Sequence, residues 1–81
     1  MMYTVYVIQD KIGRKYTGYT GNMTKRLWEH NNKITISTRK GSGWELVYFE
    51  KLEDKKDAIK RENFLKTGKG RDFLKQHLGV V

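Results

Sequence analysis

The sequence predicts an α+β domain: a small, three-stranded, mainly antiparallel sheet flanked by helices. Three observations lead there. Two β-branched and aromatic runs near the start are joined by a short polar stretch containing glycine. A third such run follows a helical stretch. Two more helical segments close the chain. Its 81 residues are enough for one small domain, 1–81, and no more. A chain of this size buries only about 60% of the surface it exposes when unfolded, so an inward-facing charge is hard to tolerate without a purpose.

"YTVYVI" (Tyr3 to Ile8) has strand composition. "QDKIGRK", with Gly13, predicts a hairpin turn, and "YTGYT" (Tyr16 to Thr20) predicts the returning strand. So short a connection makes these two strands antiparallel. Gly18 interrupts the second strand, where glycine often marks a close approach to the backbone. Asn22 then suits an N-cap for a helix running to His30 or Asn31, with Met23, Leu27 and His30 as its inward stripe and Arg26 beside them. "NKITISTRKGSG" has no period and predicts a structureless connection, functional or disordered. "WELVYFE" (Trp44 to Glu50) predicts the third strand. Asp54 opens a helix through Lys66, "TGKG" breaks it, and "RDFLKQHL" forms a last helix offering Phe73, Leu74 and Leu78 to the core.

Seventeen Lys and Arg against nine Asp and Glu leave a net charge of +8. That field points to phosphate-rich partners, nucleic acid first. The plainer alternative is a small basic protein kept soluble by its charge. Without cysteine, neither a disulfide framework nor a thiolate metal site is possible, which suits a reducing, cytoplasmic location. No apolar run approaches the length of a membrane span, and the N-terminus lacks signal-peptide features.

Three places stand out chemically. Tyr6 and Tyr16 share a face of the hairpin if partner numbers add to an even total and oppose each other if the total is odd; two core tyrosines are the plainer reading. Arg26 and His30 are neighbours one helical turn apart, either a solvated pair or part of a site. Glu62 shares a helix face with Ala58 and Leu65, while Lys60 and Arg61 point away. A carboxylate in an apolar stripe must be paired, hydrogen-bonded or bound to a cation. A salt bridge is the plain answer, but a single carboxylate also suits Mg²⁺, which takes the rest of its shell from water and phosphate. "TGKGRD" departs from the phosphate-loop pattern and reads as a helix stop and restart. Ser37, Thr38 and Ser42 lack a base for a nucleophilic triad, Trp28 and Trp44 suit core packing before the alternative of stacking on bases, and His77 suits the surface.

In this order, "TVY" (Thr4 to Tyr6), "YTG" (Tyr16 to Gly18), Arg26, His30 and Glu62 resemble the GIY-YIG nuclease superfamily. "WELVYFE", "AIKRE" and "LKTGKGRDFL" are similar to its small, stand-alone bacterial branch. The departures are Thr4, Val5 and Thr17, which stand where the family has Gly, Ile and Ile and bear on strand packing more than on chemistry. The family's late polar residue, often Asn, has Lys75 or Gln76 at about its place. The resemblance implies a three-stranded antiparallel sheet and one divalent ion, Mg²⁺ or Mn²⁺, held by Glu62. It implies a phosphodiester hydrolase acting on DNA rather than RNA, structure-selective or weakly sequence-selective, in repair or recombination. Tyr16 would be the base, helped or tuned by His30; Tyr6 would orient the water, and Arg26 would face the phosphate. Gly18 would let the backbone approach the phosphate, and Arg14, Lys15, Lys25, Arg39 and Lys40 would hold its neighbours. The alternatives are a binding module that keeps the nuclease fold without cutting, and a basic RNA- or ribosome-associated protein.

Overall fold

The central strand, β1 (Tyr3–Gln9), is buried from Thr4 to Ile8. Val5, Val7 and Ile8 are fully buried, each worth about 1.5–3 kcal/mol of transfer free energy. A strand apolar on both faces needs a layer on each. The computed structural model describes residues 2–78, with the side chain of Leu78 outside the described residues. β1 lies between β2 (Lys15–Thr20) and β3 (Glu45–Leu52), antiparallel to both. The β1–β2 turn is tied by Asp10, whose Oδ1 accepts from the backbone N–H of Ile12 and Arg14, and Gly13 takes the left-handed φ of 88°.

Side-chain alternation assigns the two layers. Val5 and Val7 pack against α2 (Lys55–Leu65) and α3 (Gly68–Leu78), through Ala58, Leu65 and Leu74. Tyr6 and Ile8 face the other way, toward α1 (Met23–Asn31) and Trp44. Asn22 caps α1 through Oδ1, which accepts from the backbone N–H of Lys25 at 3.1 Å. Among the described residues, no helix is long and apolar enough to cross a membrane.

Several expectations are corrected. The connection after α1 is not structureless: Ile36–Thr38 form a 3₁₀ turn, and Lys33 Nζ donates to the carbonyls of Arg39 and Gly41. "TGKG" does not separate two helices by a break of its own length. Gly68 and Gly70 lie in the first turn of α3, capped by Thr67, whose Oγ1 accepts from the N–H of Gly70. Arg61 does not point away. It makes a two-pronged ion pair with Glu50 at 2.8–3.0 Å, and its guanidinium lies over Phe64 and Phe73. Tyr48 donates its hydroxyl to the same carboxylate. Trp28, suited by composition to the core, is 58% exposed. It lies off the stripe formed by Met23, Leu27 and His30.

The α2–α3 corner depends on glycine for space. A Cβ at Gly70 would lie 2.5 Å from Leu65 Cα and closer still to the carbonyl oxygen of Phe64. Backbone cannot yield as a side-chain tip can. Gly70→Ala should therefore destabilise the fold by about 2 kcal/mol or more, read from the midpoint of urea unfolding, whereas Gly68→Ala, with open space around it, should change it by under about 1 kcal/mol.

Candidate active site

The β1–β2 register pairs Tyr6 with Gly18 and Ile8 with Tyr16, so the even total holds and both tyrosines share the α1 face. Their ring centroids are 6.3 Å apart. Gly18 has a steric task inside the fold. A Cβ there would lie 2.7 Å from Tyr6 Oη and 3.1 Å from a ring carbon of Tyr16. The room that glycine leaves is occupied by the end of the Tyr6 ring.

Tyr6 is 1% exposed, so its hydroxyl needs a partner inside the protein. His30, fully buried on α1, supplies it: Nε2 lies 2.8 Å from Tyr6 Oη. The expected partner of His30 is Tyr16. The structure instead bonds it to Tyr6 and leaves Tyr16 in ring contact at 5.1 Å between centroids. On its far side, His30 Nδ1 lies 2.6 Å from Thr38 Oγ1. Thr38, with no base nearby in the sequence, is thus in hydrogen-bond contact with a histidine. No spacing signal marks that pairing, because it depends on how the 3₁₀ turn folds back.

Burial pushes the Tyr6 phenol up to about 12, with Tyr16 and Glu62 adding to the rise and the Arg26 guanidinium opposing it. Burial, with Arg26 nearby, holds His30 below its ordinary value, so its ring is neutral near pH 7. Arg26 itself is partly buried and bonded to Glu29 Oε1 at 3.1 Å.

A hollow of about 740 Å³ opens at the β2 edge, where the two faces of the sheet meet. Tyr6, Tyr16 and Gly18 reach it from one face; Arg26, Lys25 and Glu29 reach it from α1; Glu62 reaches it from α2, beside Tyr19. Residues far apart in the chain, Tyr6, Tyr16, Arg26 and Glu62, therefore line one cavity. His30 does not line it and stands behind Tyr6. Arg14, Lys15, Arg39 and Lys40 line a second hollow of about 380 Å³, also bordered by Tyr16, so Tyr16 lies between the two. Arg14 is held by a 3.4 Å contact with Asp10. Lys75 and Gln76 are exposed on α3 and line neither hollow.

Glu62 is mostly covered, and its Oε2 accepts from Lys66 Nζ at 3.0 Å. Its inward placement and its salt bridge are both real. Among the described residues, no group of three His, Cys, Asp or Glu could cage a metal. One carboxylate at an open hollow fits an ion that keeps water and takes phosphate oxygens, and Lys66 engages only Oε2 of the two carboxylate oxygens.

Known proteins resemble this chain in sequence and in fold. The sequence matches the GIY-YIG catalytic domain over residues 2–76. A UPF0213 protein of Clostridium perfringens is 41% identical over 63 residues, covering 76% of this chain and 68% of that protein. One from Staphylococcus saprophyticus is 38% identical over 64 residues, 78% of each chain. The solution NMR structure of a UPF0213 protein from Bacillus halodurans superposes with a TM-score of 0.56 at 28% identity, covering 91% of this chain and 82% of that one.

The buried phenol has a spectroscopic consequence. In an ultraviolet pH titration, one of the five tyrosines should ionise near 12, and that step should vanish in Tyr6→Phe. An unfolded tyrosine ionises near 10. The stability that comes from keeping Tyr6 neutral is thus complete below about pH 10 and lost as pH rises through about 12.

Proposed function

The chain belongs to the GIY-YIG family, whose nucleases act on nucleic acid and generally use divalent metal ions, and from that premise we propose that it is a DNA endonuclease. It hydrolyses phosphodiester bonds with one Mg²⁺ or Mn²⁺ ion and with little sequence preference. The observation that carries the reading is the convergence of two phenols, a guanidinium and a mostly covered carboxylate on one hollow.

Each side chain has a role suited to its surroundings. Glu62, whose Oε2 accepts from Lys66 Nζ, is the carboxylate that would hold the ion. When bound there, a divalent ion supplies charge neutralisation at the phosphate and at the departing oxygen. Arg26 faces the phosphoryl oxygens and stabilises the charge that builds on them. Tyr16 is half-buried, borders both hollows and, as the phenolate formed when its own proton has passed to solvent, takes the proton of the attacking water. Tyr6, pushed up to about 12, keeps its own proton and positions the water by hydrogen bonding. Lys25 beside the first hollow, and Arg14, Lys15, Arg39 and Lys40 around the second, hold phosphates on either side of the scissile one. Repair or recombination, where irregular DNA must be cut, suits a small basic domain of this kind.

One observation favours the second reading, a module that binds without cutting: Glu62 already has a cationic partner in Lys66, so its covered carboxylate is satisfied without a metal. Purified wild type and Glu62→Ala, incubated with Mg²⁺ or Mn²⁺ and with duplex, nicked, branched and single-stranded DNA, separate the two. The variant should lose about a hundredfold or more in cleavage while keeping its affinity. Cleavage by neither protein, with tight binding by both, supports the binding module; equal cleavage by both removes Glu62 from the site.

The basic hollow is tested without any cleavage. The logarithm of the affinity of Glu62→Ala for duplex DNA should fall linearly with the logarithm of salt concentration. Adding Arg39→Ala and Lys40→Ala should flatten that slope by about 1 for each phosphate that is no longer neutralised.

A further inference from the structure

The cleavage chemistry makes no use of Thr38, yet this residue is built into the site. It is 2% exposed, its Oγ1 lies 2.6 Å from His30 Nδ1, and its carbonyl accepts from Trp44 Nε1 at 3.2 Å. Its backbone N–H donates to the carbonyl of Thr35. The loop that carries it is therefore fixed in front of the imidazole ring. On the opposite side of that ring, Nε2 lies 2.8 Å from Tyr6 Oη.

A neutral imidazole has one N–H and one bare nitrogen. The choice between them decides where the Tyr6 proton goes. Among the described residues, the Thr38 hydroxyl has His30 as its sole hydrogen-bond partner. A buried donor with no acceptor carries the full desolvation cost. If the Thr38 hydroxyl donates to Nδ1, its proton is used and Nε2 bears the ring N–H, aimed at Tyr6 Oη. Tyr6 then accepts from His30, and its own proton is free to face the hollow. In the other tautomer the Thr38 proton has no acceptor, and the Tyr6 proton is spent on His30.

We propose that Thr38 is a positioning residue that holds His30 as the Nε2–H tautomer and so turns the Tyr6 hydroxyl proton toward the hollow. The tautomer stands on geometry alone; its kinetic effect rests on the endonuclease reading. Thr38 borders the second hollow, but it is 2% exposed and its hydroxyl is turned to His30, so it acts through that ring.

The test starts with the ring nitrogens of His30 in ¹⁵N-labelled full-length protein by NMR near pH 7.5. The expected pattern is a protonated Nε2 and a bare Nδ1. A protonated Nδ1 in the wild type overturns the proposal, whether or not the protein cuts DNA. Thr38→Val keeps the shape and removes the hydroxyl. It should populate the Nδ1–H form alongside the Nε2–H form and lower kcat about tenfold, with KM unchanged within about twofold. Thr38→Ser should restore both readouts. A Thr38→Val protein with wild-type tautomer and kcat also overturns the proposal. Should Thr38→Val not fold, the wild-type tautomer and the Thr38→Ser kinetics decide. If the wild type cleaves nothing, the endonuclease reading fails while the tautomer is still decided by the spectra.

Discussion

A hydroxyl group inside an apolar strand governs this molecule. Tyr6 lies in the middle of β1, between fully buried valines that face the opposite layer, and is itself 1% exposed. Its oxygen has lost its water and must find a partner within the fold. That requirement explains features that otherwise look unrelated. α1 must dock so that His30 enters the core. β2 must carry glycine opposite Tyr6, because any Cβ would collide with the phenol. The loop after α1 must fold back and deliver Thr38 to the far side of the imidazole. A chain of three side chains thereby joins strand, helix and loop, and a fully satisfied buried network of this kind specifies a single arrangement.

The sheet's second face is held by a different device. Glu50 from β3 receives Arg61 from α2 in a two-pronged ion pair, with Tyr48 completing the carboxylate's bonds and Phe64 and Phe73 flanking the guanidinium. The charges are matched, and the Glu50 carboxyl is held below its usual range: burial raises it, and its bonds to Arg61 and Tyr48 lower it by more. This cluster stands apart from the hollow and anchors α2 against the sheet. α2 in turn carries Glu62 to the β2 edge. The two arginines show how placement divides one residue type into two tasks: Arg61 is committed to packing, whereas Arg26, tethered to Glu29, still borders open space.

The elements are largely legible in the chain because their signals are local. The β-branched run of β1, the Gly13 turn and the Asn22 cap each act within a few residues. The same holds for the face shared by Ala58, Glu62 and Leu65, where the first and last are buried and the middle one is mostly covered. The misreadings fall where a distant partner decides. Arg61 has a solvent-facing position by helical period alone, and only β3 turns it into an anchor. Trp28 is apolar by composition, but the way α1 docks leaves it outside. Gly18 is a site of close approach, as its place in a strand suggests, and only the register shows that the phenol of the neighbouring strand fills the room it leaves.

By itself, the sequence determined an α+β domain, a strongly positive field, and a set of phenols, guanidinium and carboxylate in a spacing that resembles a nuclease family. Periodicity, turn chemistry and charge need no long-range information, so they survive in one dimension. Tertiary structure alone decided that the register total is even, that His30 serves Tyr6, that Thr38 backs His30, and that Glu62 comes round the β2 edge to the cavity lined by Arg26. Strand register and helix docking are settled by packing between segments tens of residues apart, and a hydrogen bond of 2.6 Å between loop and helix exists only once that packing is complete.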